Sequence, residues 1–185
     1  MKPSRLFRTV LLLALAACHP SHRSTGSTAA MMSPPEARTR MTALLDDTFS
    51  AVSPALRFRD GWPHSIENDE PPHSANAYLD RYVMTRIAPA KYGALLGLVE
   101  RHWKERGYTI ENVNADTRMP AITARSPEGA VLSLVVGYPG NVTLTAAVTP
   151  ITATPDPFGP EPPQPTLANG NPDILPTEDD PFWSS

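Results

Sequence analysis

The sequence predicts an α+β domain: two helices packed on one face of an antiparallel sheet, in the order α-β-β-α-β-β-β-β. Three observations carry that reading. Two segments place apolar residues at steps of three and four, while the strands of the later part alternate apolar with polar side chains. The strands come in groups instead of alternating singly with helices, which argues against a parallel sheet. Each strand keeps one polar side, as expected of a sheet covered on one face and wet on the other.

The first helix is expected over "SPPEARTRMTALLDDTFSAVSP". Ser33 and Glu36 have capping-box spacing, Pro34 suits the first helical position, and Pro54 marks the stop. Met41, Leu44, Leu45, Thr48, Phe49 and Val52 fall on one face. Leu56 and Phe58 alternate with Arg57 and Arg59, a short strand before the Asp60-Gly61 turn. The stretch from Trp62 to Asn76 has no period and three prolines, so it reads as a loop. "AYLDRYVMTRIA" reads as the second strand.

Pro89 opens the clearer helix. Tyr92, Leu95, Leu96, Val99 and Trp103 form its apolar stripe, Lys104 and Arg106 sit in its last turn, and Gly107 follows as a C′ residue. The four-residue spacing of Gly93 and Gly97 leaves two readings open, close contact with a neighbour or simple tolerance. Four strands are then expected in "YTIENVNA", "AITARS", "AVLSLVV" and "VTLTAAVT", with turns at Pro127-Glu128-Gly129 and at Tyr138-Pro139-Gly140-Asn141.

Composition divides the chain further. Twenty-two of the 185 residues are proline, well above the usual ~5%, and ten of these stand at or after Pro150. The segment beyond Pro150 holds six acidic residues and no base. It cannot bury enough apolar surface to fold alone, and its prolines favour an extended chain, which predicts a disordered, acidic tail over 151–185. Residues 18–150 hold equal numbers of acidic and basic side chains, so the basic face that nucleic-acid binding needs is not there.

Residues 1–17 have the form of a signal peptide: Lys2, Arg5 and Arg8, then the apolar run "VLLLALAA". Eight residues of helix span ~12 Å, too short for a ~30 Å hydrocarbon core. Leu15-Ala16-Ala17-Cys18 resembles the lipobox of bacterial lipoproteins. That resemblance implies a diacylglyceryl group on the Cys18 thiol, fatty chains such as palmitate, and cleavage just before it. Two chains hold a protein on a membrane stably where one does not. The alternative is cleavage near Ala16 or Ala17 and release. The domain reading is therefore signal peptide 1–17, lipidated Cys18 and flexible tether 18–32, α+β domain 33–150, and tail 151–185. The tether reaches ~20 Å at 5–6 Å per root residue.

The stretch from Tyr78 to Leu144, "YLDRYVMTRIAPAKYGALLGLVERHWKERGYTIENVNADTRMPAITARSPEGAVLSLVVGYPGNVTL", is similar to small lipoproteins of high-GC actinobacteria. They share a lipobox, a helix ending in a Trp-and-Gly segment, and hairpins closed by Gly-rich turns. The resemblance implies the compartment and the fold class and brings no catalytic residue. Several such proteins carry cysteines in the first loop and after the last strand; here Cys18 is the only cysteine.

Chemistry is sparse. The chain has no Gly-rich phosphate loop, GxSxG, HExxH or CxxC. His64, Glu67, Asp69, Glu70 and His73 offer imidazole and carboxylate groups in one loop, the residue types of a zinc site, but on prolines without a scaffold. His19 and His22 read as tether residues, and His102 as a border residue of the core. Phe182 and Trp183 read as a frayed end or a partner-binding hook. The expectation is a lipid-anchored envelope lipoprotein on the extracytoplasmic face. It acts as a non-enzymatic binding or assembly module with no cofactor and no catalytic or metal residues. Its expected partners are the membrane, through the N-terminal lipid, and an envelope protein, with no nucleic acid. The alternatives are a carrier of an apolar ligand and a metal-dependent envelope hydrolase.

Overall fold

The computed structural model describes residues 31–185 except Pro139, so the signal peptide, Cys18 and most of the tether lie outside the described residues. Helix α1 spans Pro34–Ser50 and helix α2 Tyr92–Glu105, the latter entered through a 3-10 turn at Pro89–Lys91. The strands are β1 (Phe58–Asp60), β2 (His64–Glu67), β3 (Ser74–Val83), β4 (Thr109–Asn114), β5 (Ala121–Arg125), β6 (Val131–Val136) and β7 (Val142–Thr152). They form one antiparallel sheet in the order β1-β3-β7-β6-β5-β4, with β2 beside β1 on the outer edge of β3.

The caps follow the sequence logic. The Glu36 carboxylate accepts hydrogen bonds from the Ser33 amide and hydroxyl at 2.9 and 2.7 Å, which holds its pKa below the ordinary value. Gly107 ends α2 at φ +77°, and the Tyr108 amide donates back to the Trp103 carbonyl at 2.8 Å. Every residue of the α2 stripe is buried. So are Val142, Leu144, Ala146 and Val148 of β7, whose partners Thr143 and Thr145 stand on the other face. A Cβ at Gly93 would meet nothing within 4 Å, so close packing is not what places glycine there.

Helix α1 lies over β3 and β7, and α2 over β4 and β5. Three ties join the helices. The Trp103 indole N–H donates to Thr48 Oγ1 at 3.0 Å, His102 Nε2 lies 2.9 Å from Asp47 Oδ2, and Arg106 pairs with the same carboxylate.

Three expectations change. The loop 62–76 contains β2, paired with β3 in the register His64↔Tyr78 to Glu67↔Ala75. Ile66 is its one large apolar residue and is exposed, so the strand is held by its ladder and leaves no hydrophobic period. The second strand is shifted. It begins at Ser74 and ends at Val83, because the chain from Met84 to Ala88 pairs with the C-terminal segment instead.

The third change is the tail. Residues 151–185 are not an extended, unattached coil. Ile151 and Thr152 complete β7, and the chain then runs back along the molecule to bury Trp183 completely. The Trp183 indole N–H donates to the Pro54 carbonyl at 2.7 Å, and its own carbonyl accepts from the Ala88 amide at 2.8 Å. The Thr177 and Glu178 amides donate to the Met84 carbonyl, and Arg86 pairs with Asp179 at 2.8 Å. Composition shows that this segment has no core of its own. It borrows the domain's core, chiefly through Trp183, with Ile151 also buried there and Phe158 packed against it.

The sheet has two distinct ends. At the near end Ser74 faces Thr152, and Met32 pairs with β7 through Met32 N–H to the Pro150 carbonyl (3.1 Å) and Thr152 N–H to the Met32 carbonyl (2.8 Å). At the far end Val83 and Val136 both face Val142, and Asn114 faces Ala121. Ten residues of β3 separate the ends by about 30 Å.

Candidate functional site

The imidazole and carboxylate residues of the 62–76 segment are spread along a hairpin. His64 starts β2, with its ring 5.4 Å from that of Tyr78. Glu67 ends β2, Asp69 and Glu70 lie in the turn, and His73 precedes β3 at φ +60°. Among the described residues no three His, Cys, Asp or Glu side chains are grouped to hold a metal ion. His102 borders the core, as its helical position predicts, and is engaged with Asp47. Cys18 lies outside the described residues. No helix among the described residues is long and apolar enough to cross a membrane.

Arg81 is a buried charge that the sequence reading did not single out, although alternation in β3 puts it on the apolar face between Leu79 and Val83. Its guanidinium is 1% exposed and lies 3.9 Å from the Phe58 ring centre. Arg81 Nε and Nη2 donate to Asp60 at 2.5 and 2.9 Å, while Asp46 Oδ1 lies 2.8 Å from Nη1, an ion pair outside hydrogen-bond geometry. Burial opposes the charge, but the Asp60 and Asp46 carboxylates outweigh it, so the pKa is raised. With both acids committed to it, Arg81 serves the fold.

The most apolar cleft among the described residues, of about 360 Å³, lies at the far end of the sheet. Three elements meet there: the entry to α2 (Pro89, Tyr92), the β4–β5 loop (Thr117, Arg118, Met119) and the β6–β7 turn (Gly137, Tyr138, Gly140). The β4–β5 loop is set by its own polar residues. Asp116 Oδ1 accepts from the Arg118 and Met119 amides at 2.7 and 2.9 Å, and Asn114 Nδ2 donates to the Met119 carbonyl at 3.1 Å. Those amides hold the Asp116 carboxyl below the usual aspartate range. The β6–β7 turn closes through the Gly140 amide to the Gly137 carbonyl at 2.7 Å, one residue earlier than the sequence suggests.

The cleft has an apolar body and two polar features. Tyr92 is only 6% exposed, and its hydroxyl makes no hydrogen bond with the described residues. A Cβ at Gly140 would lie 2.9 Å from that oxygen, so glycine there makes room for it, and φ +108° independently favours glycine. At the rim, the Arg118 side chain forms no ion pair among the described residues, and Tyr138 is 88% exposed. Among the described residues no carboxylate, imidazole or thiol lines the cleft. It offers an apolar surface, a hydroxyl and one cation. The Asn-x-Asp spacing before Arg118 and the Gly-x-x-Gly turn are its sequence signals, and both read as ordinary turns until α2 is seen beside them.

No family model, curated protein or solved structure matches this chain.

Proposed function

We propose that this protein is a lipid-anchored module of the bacterial cell envelope that binds a partner or ligand without transforming it. The signal-peptide pattern and the lipobox-like Cys18 support the anchor, in line with the resemblance to small actinobacterial lipoproteins. The observation that carries the reading is the separation of attachment from recognition. The tether joins the folded part through Met32 at the near end of β7, while the cleft opens at the far end. A body held at Met32 presents its cleft about 30 Å further from the bilayer, beyond a tether of ~20 Å.

The space between sheet and helices is filled by Leu95, Val99 and Trp103 of α2 and Ile122, Leu132, Leu134 and Leu144 of the sheet. That filling weighs against a carrier enclosing its cargo in the core. The spread of the histidine and carboxylate residues along the β2–β3 hairpin weighs against a metal-dependent hydrolase.

Cys18→Ala is expected to move the protein from the membrane to the soluble fraction, and the mature amino terminus is expected to carry a diacylglyceryl mass on Cys18. A chain that stays with carbonate-washed membranes after Cys18→Ala, or a mature terminus at another residue, would overturn the anchor.

A further inference from the structure

We infer that the far-end cleft is a binding site for a carboxylate bearing one aromatic ring. This rests on the binding reading above and names the ligand chemistry. Four features of the cleft converge on it. The volume of about 360 Å³ falls within the range of small-molecule sites and admits a single-ring ligand. The walls offer flat and polarisable surface: the Pro89 ring, the Met119 thioether, and the Tyr138 ring at the rim. Met119 is 42% exposed, so the rim leaves apolar surface in water that an aromatic ring would cover.

The polar features set the other half of the ligand. Among the described residues Arg118 is the one charged residue of the lining; its guanidinium makes no ion pair with them, and the nearby Asp116 carboxylate, which it helps to keep ionised, accepts from two backbone amides. A guanidinium with five donors and no acceptor matches a carboxylate. The Tyr92 hydroxyl lines the cleft without a partner among the described residues, so it is free to donate to a carboxylate oxygen or an adjacent carbonyl. A neutral apolar ligand would leave both groups unanswered.

This chemistry has two sources, a free aromatic acid or the C-terminal aromatic residue of a polypeptide. The test is an NMR titration of the full chain carrying Cys18→Ala. The probes are 3-phenylpropionate and its neutral analogue 3-phenylpropan-1-ol, then N-acetyl-phenylalanine and its amide. Each acid is expected to shift the amides of Arg118, Met119, Gly137 and Gly140 and to bind about tenfold tighter than its neutral analogue. Arg118→Gln should abolish that preference, and Tyr92→Phe should weaken both acids severalfold while leaving amides outside the far end unmoved. Tighter binding of N-acetyl-phenylalanine assigns a polypeptide end, and tighter binding of 3-phenylpropionate a free acid. No shift at those amides with either acid at millimolar concentration would overturn the assignment. So would equal affinity for acid and neutral analogue, or a preference that survives Arg118→Gln. A null titration of a Cys18→Ala chain that has left the membrane would sink the ligand class and leave the anchor standing.

Discussion

The two halves of the sheet are held by different physics. Under α2, which lies over β4 and β5, the core is an unbroken apolar cluster in which Leu95, Val99 and Trp103 are buried together with Ile122, Leu132 and Leu134. Under α1, β3 and β7 also bury apolar side chains such as Met41, Leu45, Leu79 and Val83, but polar and long-range contacts are added to them: Arg81 between Asp60 and Asp46, and the C-terminal segment fastened by Trp183 and a row of backbone hydrogen bonds. Periodic apolar burial is additive and tolerant. A few directional ties are not, and each one removed leaves an orphaned group.

That contrast orders the expected mutational effects. Trp183→Ala removes the largest single anchor of the polar half and is expected to cost about 3–5 kcal/mol, read by urea denaturation. It should also make the segment 154–182 susceptible to protease while the α2 half stays resistant. Arg81→Ala is expected to cost about 3 kcal/mol. Its acids keep partial access to water, Asp60 and Asp46 being 34% and 59% exposed, which places the loss at the lower end for a broken buried pair. Thr48→Val tests the seam between the halves. It strips the buried Trp103 indole of its acceptor at nearly constant volume, for a loss of about 1–2 kcal/mol.

The apolar half should also accept improvement. Gly93→Ala, on the exposed side of α2 with nothing within 4 Å of the added Cβ, is expected to raise stability by about 0.5–1 kcal/mol. The smallest effect is local. The folded-state pKa of Asp116 is lowered, so its contribution is complete above the ordinary aspartate range and is lost as pH falls through the lowered value. Acidification below about pH 4 should lower the exchange protection of the Arg118 and Met119 amides, relative to their intrinsic rates at the same pH, before the rest of the domain responds.

The same contrast explains what could be read in the sequence. The α2 stripe, the β7 alternation, the Ser33–Glu36 cap and Gly107 are local patterns with fixed periods, and each stands in the structure where the pattern puts it. The polar half depends on partners distant in sequence. Nothing near Trp183 indicates that the Pro54 carbonyl awaits its indole, and β2 is exposed on both sides, so its ladder leaves no hydrophobic trace. Arg81 was legible in principle, as a charge on the apolar beat of β3. The cleft was not, because three segments meet in it and each alone reads as a turn.

The placement of Met32 has a mechanical consequence. It pairs beside Ile151 at one extremity of β7, and the turn bearing Gly140 leads into the other. A pull between the attachment point and the cleft is therefore directed along that central strand. The hydrogen bonds to β3 and β6 lie across such a load and share it all at once, so the ladder resists in shear instead of unzipping bond by bond.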